Sequence, residues 1–548
     1  MLAGCFTGCI DLSLGCMTFR LLSRLRRPRA ALAAVSVLLV TATVLVLAGC
    51  GALGWAARVD TVGKVSFSHA LQIPPLATSR TGAAGEKVFD LTANAGTTPL
   101  TDVAATRTQG FADAHGQHPD NAYLGPTIVA NRGDAVRVNV HNRMHEPTTV
   151  HWHGMHLPAS MDGGPHQPIA PGATRSPHWR IDQQAATLWY HPHPHGETEH
   201  QVSAGMAGMV IVHDEAERAL NLPRNYGVDD IPVIVQDARF DSNGQLTTSQ
   251  AGFIGPLGDT LLVNGTVGAY LPVTTDVVRL RLLNASSSRI YDFQFDDKRT
   301  FEMIASDGGL LSQAAAMGSI QLVPGERAEI LVQMSAGENA TLRSTPPDLG
   351  TEASIDASNG GTDAFDVLQL RAADALKPLG AMPTTLTPIT RLARDSATVQ
   401  RSFDLHGFRI NDAKMDMNRI DETITVGTTE LWKVRNSSAE PHSFHVHDVQ
   451  FQVLSVGGAP PPVELSGWKD TIYVTPKTEF QIIMRFTDYT DRNLPYMYHC
   501  HMLMHEDHGM MGQFVVVEPG QSAGRPPVMQ ESRGTGSGPR TQEQNHEH

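Results

Sequence analysis

Residues 134–154 read DAVRVNVHNRMHEPTTVHWHG, and the same unit recurs as DVVRLRLLNASSSRIYDFQFD at 276–296 and TELWKVRNSSAEPHSFHVHD at 429–448. A shared asparagine sets the register. Asn142 stands nine and eleven residues before His151 and His153, Asn436 keeps that spacing to His445 and His447, and Asn284 keeps it to Phe293 and Phe295. Apolar residues alternate ahead of each asparagine, the period of a half-buried strand. One strand pair therefore occurs three times, with phenylalanine in the middle copy where the outer two carry histidine. Short apolar stretches, 49 Gly and 34 Pro in 548 residues point to an all-β chain rather than helical bundles. The length suffices for several well-filled cores. The repeats place units at 72–215, 228–375 and 398–519, and residues 345–364, rich in Gly, Ser, Asp and Thr, read as a loop or linker.

A second unit repeats only in the outer copies. Tyr190-His191-Pro192-His193 followed by GMAGMVIVH from Gly205 matches Tyr498-His499-Cys500-His501 followed by GMMGQFVVV from Gly509. At 25 histidines in this length about one H-x-H would arise by chance, and the chain holds four meaningful ones, one wrapped around a cysteine. Imidazoles, a thiolate and a nearby thioether are ligands for copper rather than for magnesium or calcium. In a strand, residues i and i+2 share a face while i+1 points away. His499 and His501 thus face one way and Cys500 the other, which joins two copper sites through a few covalent bonds. The middle unit, without histidines, binds no copper and serves spacing and packing, so the cluster is expected where the first and third units meet.

The formal charge of −14 argues against a nucleic-acid partner. Arg20, Arg24, Arg26, Arg27 and Arg29 precede an apolar run from Ala30 to Ala48 that ends in Leu47-Ala48-Gly49-Cys50. Basic region, apolar region and small residues before cysteine form an export signal over 17–49. Leu-Ala-Gly-Cys resembles a bacterial lipobox, which implies cleavage before Cys50 and its lipidation; an uncleaved anchor is the alternative. Either places the protein outside the cytoplasmic membrane and tethered to it, by a segment over 50–71. Arg26-Arg27 matches the twin-arginine route only loosely. Residues 1–16 do not resemble a signal start, and Met17 is the more natural initiator. Cys5, Cys9 and Cys16 then drop out, Cys50 carries lipid, and Cys500 stands without a disulfide partner, free for metal.

The four histidine clusters resemble the signature of three-domain multicopper oxidases, the laccase and bacterial copper-efflux oxidase family. The likeness runs from Leu71 to Val517 through YLGPTIVANRGD, HWHG, MDGGP, AATLWYHPHPHG, AGMAGMVIV, SGWKDTI and YHCHMLMHEDHGMMG. It implies three consecutive cupredoxin-like Greek-key β-barrels, four coppers per chain and reduction of dioxygen to water. His442, Cys500, His505 and Met510 match the type 1 copper, with Met510 as the weak axial ligand of a moderate-potential site. His151 and His445 match the type 2 copper. His153, His191 and His501 match one type 3 copper, and His193, His447 and His499 the other. Since no ligand position is missing, the resemblance implies an oxidase rather than a copper-free envelope scaffold on the same fold. Both halves of the cluster lie in one chain, which implies a monomer. Duplicated H-x-H pairs disfavour a two-domain nitrite reductase.

Reduction of dioxygen to two waters consumes four electrons and four protons, so acids are needed beside the cluster. Asp162 and Glu506 match the family's proton-relay positions; as plain residues they read as a turn before Gly163-Gly164 and a local ion pair. His141, His156, His166, His195, His200 and His508 read as structural, Met511 as core, and Trp152 and Tyr190 as packing around the cluster. Beyond Pro519 the polar, Gly- and Pro-rich tail to 548 reads as disordered, with His546 and His548 solvated in it. The reductant is less legible. The methionine-rich insert of copper-efflux oxidases is absent, leaving Met415 and Met417 in KMDMN, and Ser437-Ser438-Ala439 replaces an acidic residue those enzymes hold before the type 1 histidine. The expected type 1 edge is open to phenols and aromatic amines as laccase-like donors. Cu(I) or Fe(II) oxidation is the alternative, with Asp412, Asp416 and Met417 as a possible small metal-ion dock.

Overall fold

The computed structural model describes residues 58–247 and 251–527, which are nearly all β. The expected start region, export signal and Cys50, and the tail from 528 onward, lie outside the described residues. Among the described residues no helix is long and apolar enough to cross a membrane.

The three repeats fold alike, and the asparagine explains why. Strands Ala135–Asn142, Val277–Asn284 and Thr429–Asn436 each end on it. In each copy the buried side-chain amide donates to two carbonyls, those of Glu146 and Ile169, Arg289 and Leu322, or Glu440 and Val474. Its Oδ1 accepts the backbone N–H two residues on, from Met144, Ser286 or Ser438. One side chain thereby satisfies the backbone of the turn that carries the chain from one sheet to the facing sheet, where unpaired polar groups would be costly. The next strand in each copy, His151–His153, Tyr291–Phe295 or His442–Val446, lies in that facing sheet.

Each repeat thus builds a two-sheet barrel with its own core. In the first, Ala135–Asn142 runs parallel to Lys87–Thr98, while the facing sheet orders Ile128–Asn131, Gly208–His213, Ala186–His191 and His151–His153. The second sets Val277–Asn284 parallel to Asp230–Ala238, and the third sets Thr429–Asn436 parallel to Val399–His406. Each facing sheet also holds an equivalent parallel pair: Ile128–Asn131 with Gly208–His213, Ala269–Thr275 with Phe365–Lys377, and Glu422–Thr425 with Met511–Val517. The same mixed topology three times over is cupredoxin-like, as expected.

Residues 58–71, read as part of a tether, are fastened to the middle barrel: His69–Ala70 pairs with Ala269–Tyr270, and Thr61 donates to the Ala364 carbonyl. Residues 345–364 join two strands of one sheet and contain the short helix Ala353–Ser358, so they form a loop within the middle barrel. Phe293 and Phe295 occupy the places of the outer histidines and are fully buried in the middle core. Phe293→Ala should cost about 3–5 kcal/mol, as expected for a truncated core aromatic. Calorimetry together with metal analysis checks this: the melting temperature should fall while copper content stays at the wild-type value.

Candidate copper centre

Strand pairing aligns the histidine clusters. His151 sits opposite His191 and His153 opposite Trp189, with Trp152 and Tyr190 paired between them; in the third barrel His445 sits opposite His499 and Val446 opposite Tyr498. Alternation turns Trp152 and Tyr190 into the first core, and Val446, Tyr498 and Cys500 into the third. The eight clustered histidines point the other way and meet between the first and third barrels. There the ring of His151 stacks on His447 and that of His153 on His445, each at 3.8 Å between centroids. All eight rings are buried.

Their donor nitrogens converge. Nε2 of His447 and of His499 are 3.2 Å apart, and Nδ1 of His153 lies 3.2 Å from Nε2 of His501. Nε2 of His151, His191, His193 and His445 are buried without a hydrogen-bond partner. So many orphaned nitrogens aimed at one space would be strongly unfavourable unless a metal takes them. The opposite nitrogens are held. Nδ1 of His151 donates to the Asp162 carbonyl at 3.0 Å, Nδ1 of His445 to the Asp470 carbonyl at 2.9 Å, and Nδ1 of His191 to the Pro192 carbonyl at 2.8 Å. Nδ1 of His447 hydrogen bonds to Asp162 Oδ2 at 2.8 Å. Glu506 sets Oε1 3.0 Å from Nδ1 of His193 and Oε2 3.1 Å from Nδ1 of His499. Burial, reinforced by neighbouring rings, holds His153, His191, His445, His447 and His501 well below the usual imidazole range, so they are free bases. Burial alone would raise Glu506, but His193 and His499 outweigh it and hold its carboxyl well below the usual range.

On the far side of the same strand, Cys500 Sγ lies 3.4 Å from Nδ1 of His505 and 3.8 Å from Nδ1 of His442, and those two nitrogens are 3.1 Å apart. His505 comes from the short helix Leu503–Asp507, which begins just after the cysteine. Met510 is buried, and its carbonyl accepts the Cys500 N–H at 3.1 Å. Burial pushes the Cys500 thiol up to about 11 and His505 down to about 4. Two imidazoles and a buried sulfur on one small space, with Met510 in the same core, fit copper, which would displace the thiol proton. The donor sets on both sides of the strand therefore fit the metal.

The edge of the Cys500 site departs from the expected exposure. The type 1 edge is not open: His442 and His505 are both buried, and Nε2 of His505 donates to the Phe253 carbonyl at 2.9 Å. Phe253 and Phe408 stack at 5.3 Å over this edge, and exposed His508 packs on Phe408. The other histidines stand apart from both centres. His156 bridges Asp448 and Asp488, His166 pairs with Gln513, His141 with Thr174, and His195 and His200 are exposed. Met511 is buried as core. Asp412 and Asp416 are exposed; Asp412 has a φ of 60° and Asp416 accepts the Asn418 N–H.

The multicopper oxidase family matches this chain at residues 104–217 and again at 383–520. Multicopper oxidase mco of Staphylococcus haemolyticus is 34% identical over 460 residues, spanning 81% of this chain and 91% of that protein. The chain belongs to the multicopper oxidase family. The structure of a laccase from Pediococcus acidilactici superposes on this multicopper oxidase with a TM-score of 0.73 at 35% identity, covering 82% of this chain and 94% of that one. Cell division protein FtsP of Escherichia coli K12 is similar as well, 39% identical over 402 residues, 72% of this chain and 84% of that protein. Three features of the multicopper oxidase site were not singled out from sequence: the Phe253–Phe408 roof, Asp470, and Arg327 behind it. Asp470 sits within the motif SGWKDTI, but nothing in that string ties it to a histidine more than three hundred residues earlier.

Proposed function

We propose that this chain takes electrons one at a time from a reductant at the Cys500 site and passes four of them to dioxygen at the histidine cluster, giving two waters. The observation that carries the reading is the alternation at His499-Cys500-His501, with Cys500 between His442 and His505 and its two neighbours inside the cluster. His442, Cys500, His505 and Met510 hold one copper; His151 and His445 hold a second; His153, His191 and His501, and His193, His447 and His499, hold the remaining pair. Copper there supplies the one-electron chemistry, and the chain does the rest. The backbone on either side of Cys500 gives electrons a short covalent path. The buried Oδ1 of Asp162, without a hydrogen-bond partner and 3.4 Å from Nδ1 of His151, and the Glu506 carboxylate, set between Nδ1 of His193 and Nδ1 of His499, are the proton relay.

The reductants are phenols and aromatic amines, for which Phe253 and Phe408 offer a stacking face, and their electrons enter through the Phe253 carbonyl into His505. The three barrels occupy about 72–215, 228–375 and 398–519, and the chain works as an exported monomer tethered by lipid on Cys50. A second reading is a copper-free envelope scaffold, favoured by the 39% identity to a cell division protein. Oxygen uptake by the soluble form starting after Cys50, incubated with copper and then supplied in parallel with a dimethoxyphenol, Cu(I) and Fe(II), decides between them. Strong turnover on the phenol supports the laccase-like reading. Turnover on metal ions alone would replace it with a metallo-oxidase, and a protein that retains no copper would leave the scaffold.

A further inference from the structure

Two aspartates treat the cluster in reciprocal fashion. Asp162, from the first barrel, accepts His151 of its own barrel on its carbonyl and His447 of the third on its carboxylate. Asp470, from the third barrel, accepts His445 of its own barrel on its carbonyl, and its carboxylate Oδ1 lies 3.0 Å from Nε2 of His153 of the first. The pseudo-symmetry ends at the free oxygens. Asp162 Oδ1 has no hydrogen bond, only Nδ1 of His151 at 3.4 Å, whereas both oxygens of Asp470 are engaged by Arg327, Nη1 on Oδ1 at 2.7 Å and Nη2 on Oδ2 at 2.6 Å. The Thr471 hydroxyl donates to Oδ1 at 2.9 Å and stands 3.1 Å from the same Nε2 of His153.

Arg327 belongs to the middle barrel, on strand Arg327–Gln333. Its five N–H groups find five acceptors: Asp470 twice, Gly325 and Asp307 of the middle barrel, and the Thr187 carbonyl on the first-barrel strand that ends in His191. The guanidinium is therefore locked, and it locks the carboxylate in the bidentate geometry that lysine cannot reproduce. Beside it Gly325, at φ +88°, presses so close to the ring of His501 that an added Cβ would stand 3.0 Å from Nδ1.

Resting on the oxidase reading above, we propose that Asp470, fixed by Arg327, is a positioning residue that holds His153 with its proton on Nε2 and its Nδ1 free toward the cluster, so that the middle barrel takes part in building the copper site. His153 is the one clustered histidine whose inward nitrogen is Nδ1 and whose outward nitrogen meets a carboxylate braced by a cation. A carboxylate behind a ligating imidazole sets its tautomer and orientation, and losing such a partner weakens metal binding by about 10- to 100-fold. A purely structural ion pair would affect folding without selecting a tautomer.

The test begins with full-length, metal-free protein carrying 15N-labelled histidine, in which His153 is identified by the signal missing from His153→Gln. Wild type should show His153 as the Nε2–H tautomer. Asp470→Asn should shift it toward the Nδ1–H form, since the amide nitrogen is repelled by the all-donor guanidinium and turns to donate to Nε2. The same variant should lose cluster copper to a competing chelator about 10- to 100-fold more readily, with the blue absorption of the Cys500 site intact. Arg327→Lys, which keeps the charge, should lie between the two. An unchanged tautomer with unchanged copper retention in Asp470→Asn, or in Arg327→Lys if the first does not fold, overturns the proposal. A wild-type protein that binds no copper would instead remove the oxidase reading, and the tautomer measurement would still decide the role of Asp470.

Discussion

Cys500→Ser should give a colourless protein with no reductant-driven oxygen uptake above background, but with the fold and the cluster copper kept. The sulfur is the only thiolate source among the described residues and the first atom of the path to His499 and His501. A hydroxyl is too weak a ligand, and too hard to deprotonate, to stand in for it. The fold has little reason to suffer. The Ser443 N–H that now reaches Sγ at 3.4 Å can donate to the new hydroxyl, and the change in volume is small. The eight cluster histidines are oriented by Asp162, Asp470, Glu506 and backbone carbonyls, none of which touches the sulfur. Metal analysis should therefore find one copper fewer than in wild type, visible absorption should lose its charge-transfer band, and an oxygen electrode should read background on every donor. Full turnover by this variant would mean that electrons reach the cluster by another path, and the assignment of Cys500 as entry would fail.

What the sequence made legible was whatever local spacing encodes. The asparagine register found the three barrels because the same short hydrogen-bond pattern ends one strand and begins the next each time. Alternation placed Cys500 opposite its neighbours because strand geometry leaves no other choice. Glu506 was visible because it directly follows His505, and Asp162 because Met161-Asp162-Gly163-Gly164-Pro165 matches the family's proton-relay position. What escaped lies in contacts made across barrels. Phe253 sits about a hundred and fifty residues from Phe408, and their stacking over His505 has no sequence period. Asp470 follows His447 by a spacing unlike that between His153 and Asp162, so their equivalence emerges only from the folded carbonyl and carboxylate contacts. The middle barrel, read as a spacer because it lacks histidines, contributes Arg327, Gly325 and Phe253 through loops and strand ends. A missing ligand motif says nothing of such roles.

Metal-free protein should be most stable near pH 6.5 and weaken on both sides, most steeply toward acid. On the acid side burial keeps His153, His191, His445, His447, His501 and His505 neutral, while the unfolded chain protonates each near its ordinary 6.5. The unfolded state then binds more protons, so stability rises with pH in this window and is lost as pH falls from 6.5 toward 4. His505 alone, displaced to about 4, accounts for about 3 kcal/mol across it at 1.36 kcal/mol per pH unit. Glu506, held low in the fold, adds a loss of the same sign once pH drops below the ordinary carboxyl range. Asp507, which burial and Glu506 push up to about 8, opposes the trend, but as one proton against those of many imidazoles. On the alkaline side burial disfavours His156 charging, yet Asp448 and Asp488 raise it to about 10, so its contribution is complete below 6.5 and disappears as pH rises through 10. Urea midpoints of the copper-free protein from pH 4.5 to 9.5 would trace the dome. His505→Gln should flatten the acid limb by one proton, about 1.4 kcal/mol per pH unit, and His156→Gln should level the alkaline one. A midpoint independent of pH between 4.5 and 6.5 would mean that the imidazoles are already protonated in the fold, and a preformed free-base copper site would then be untenable.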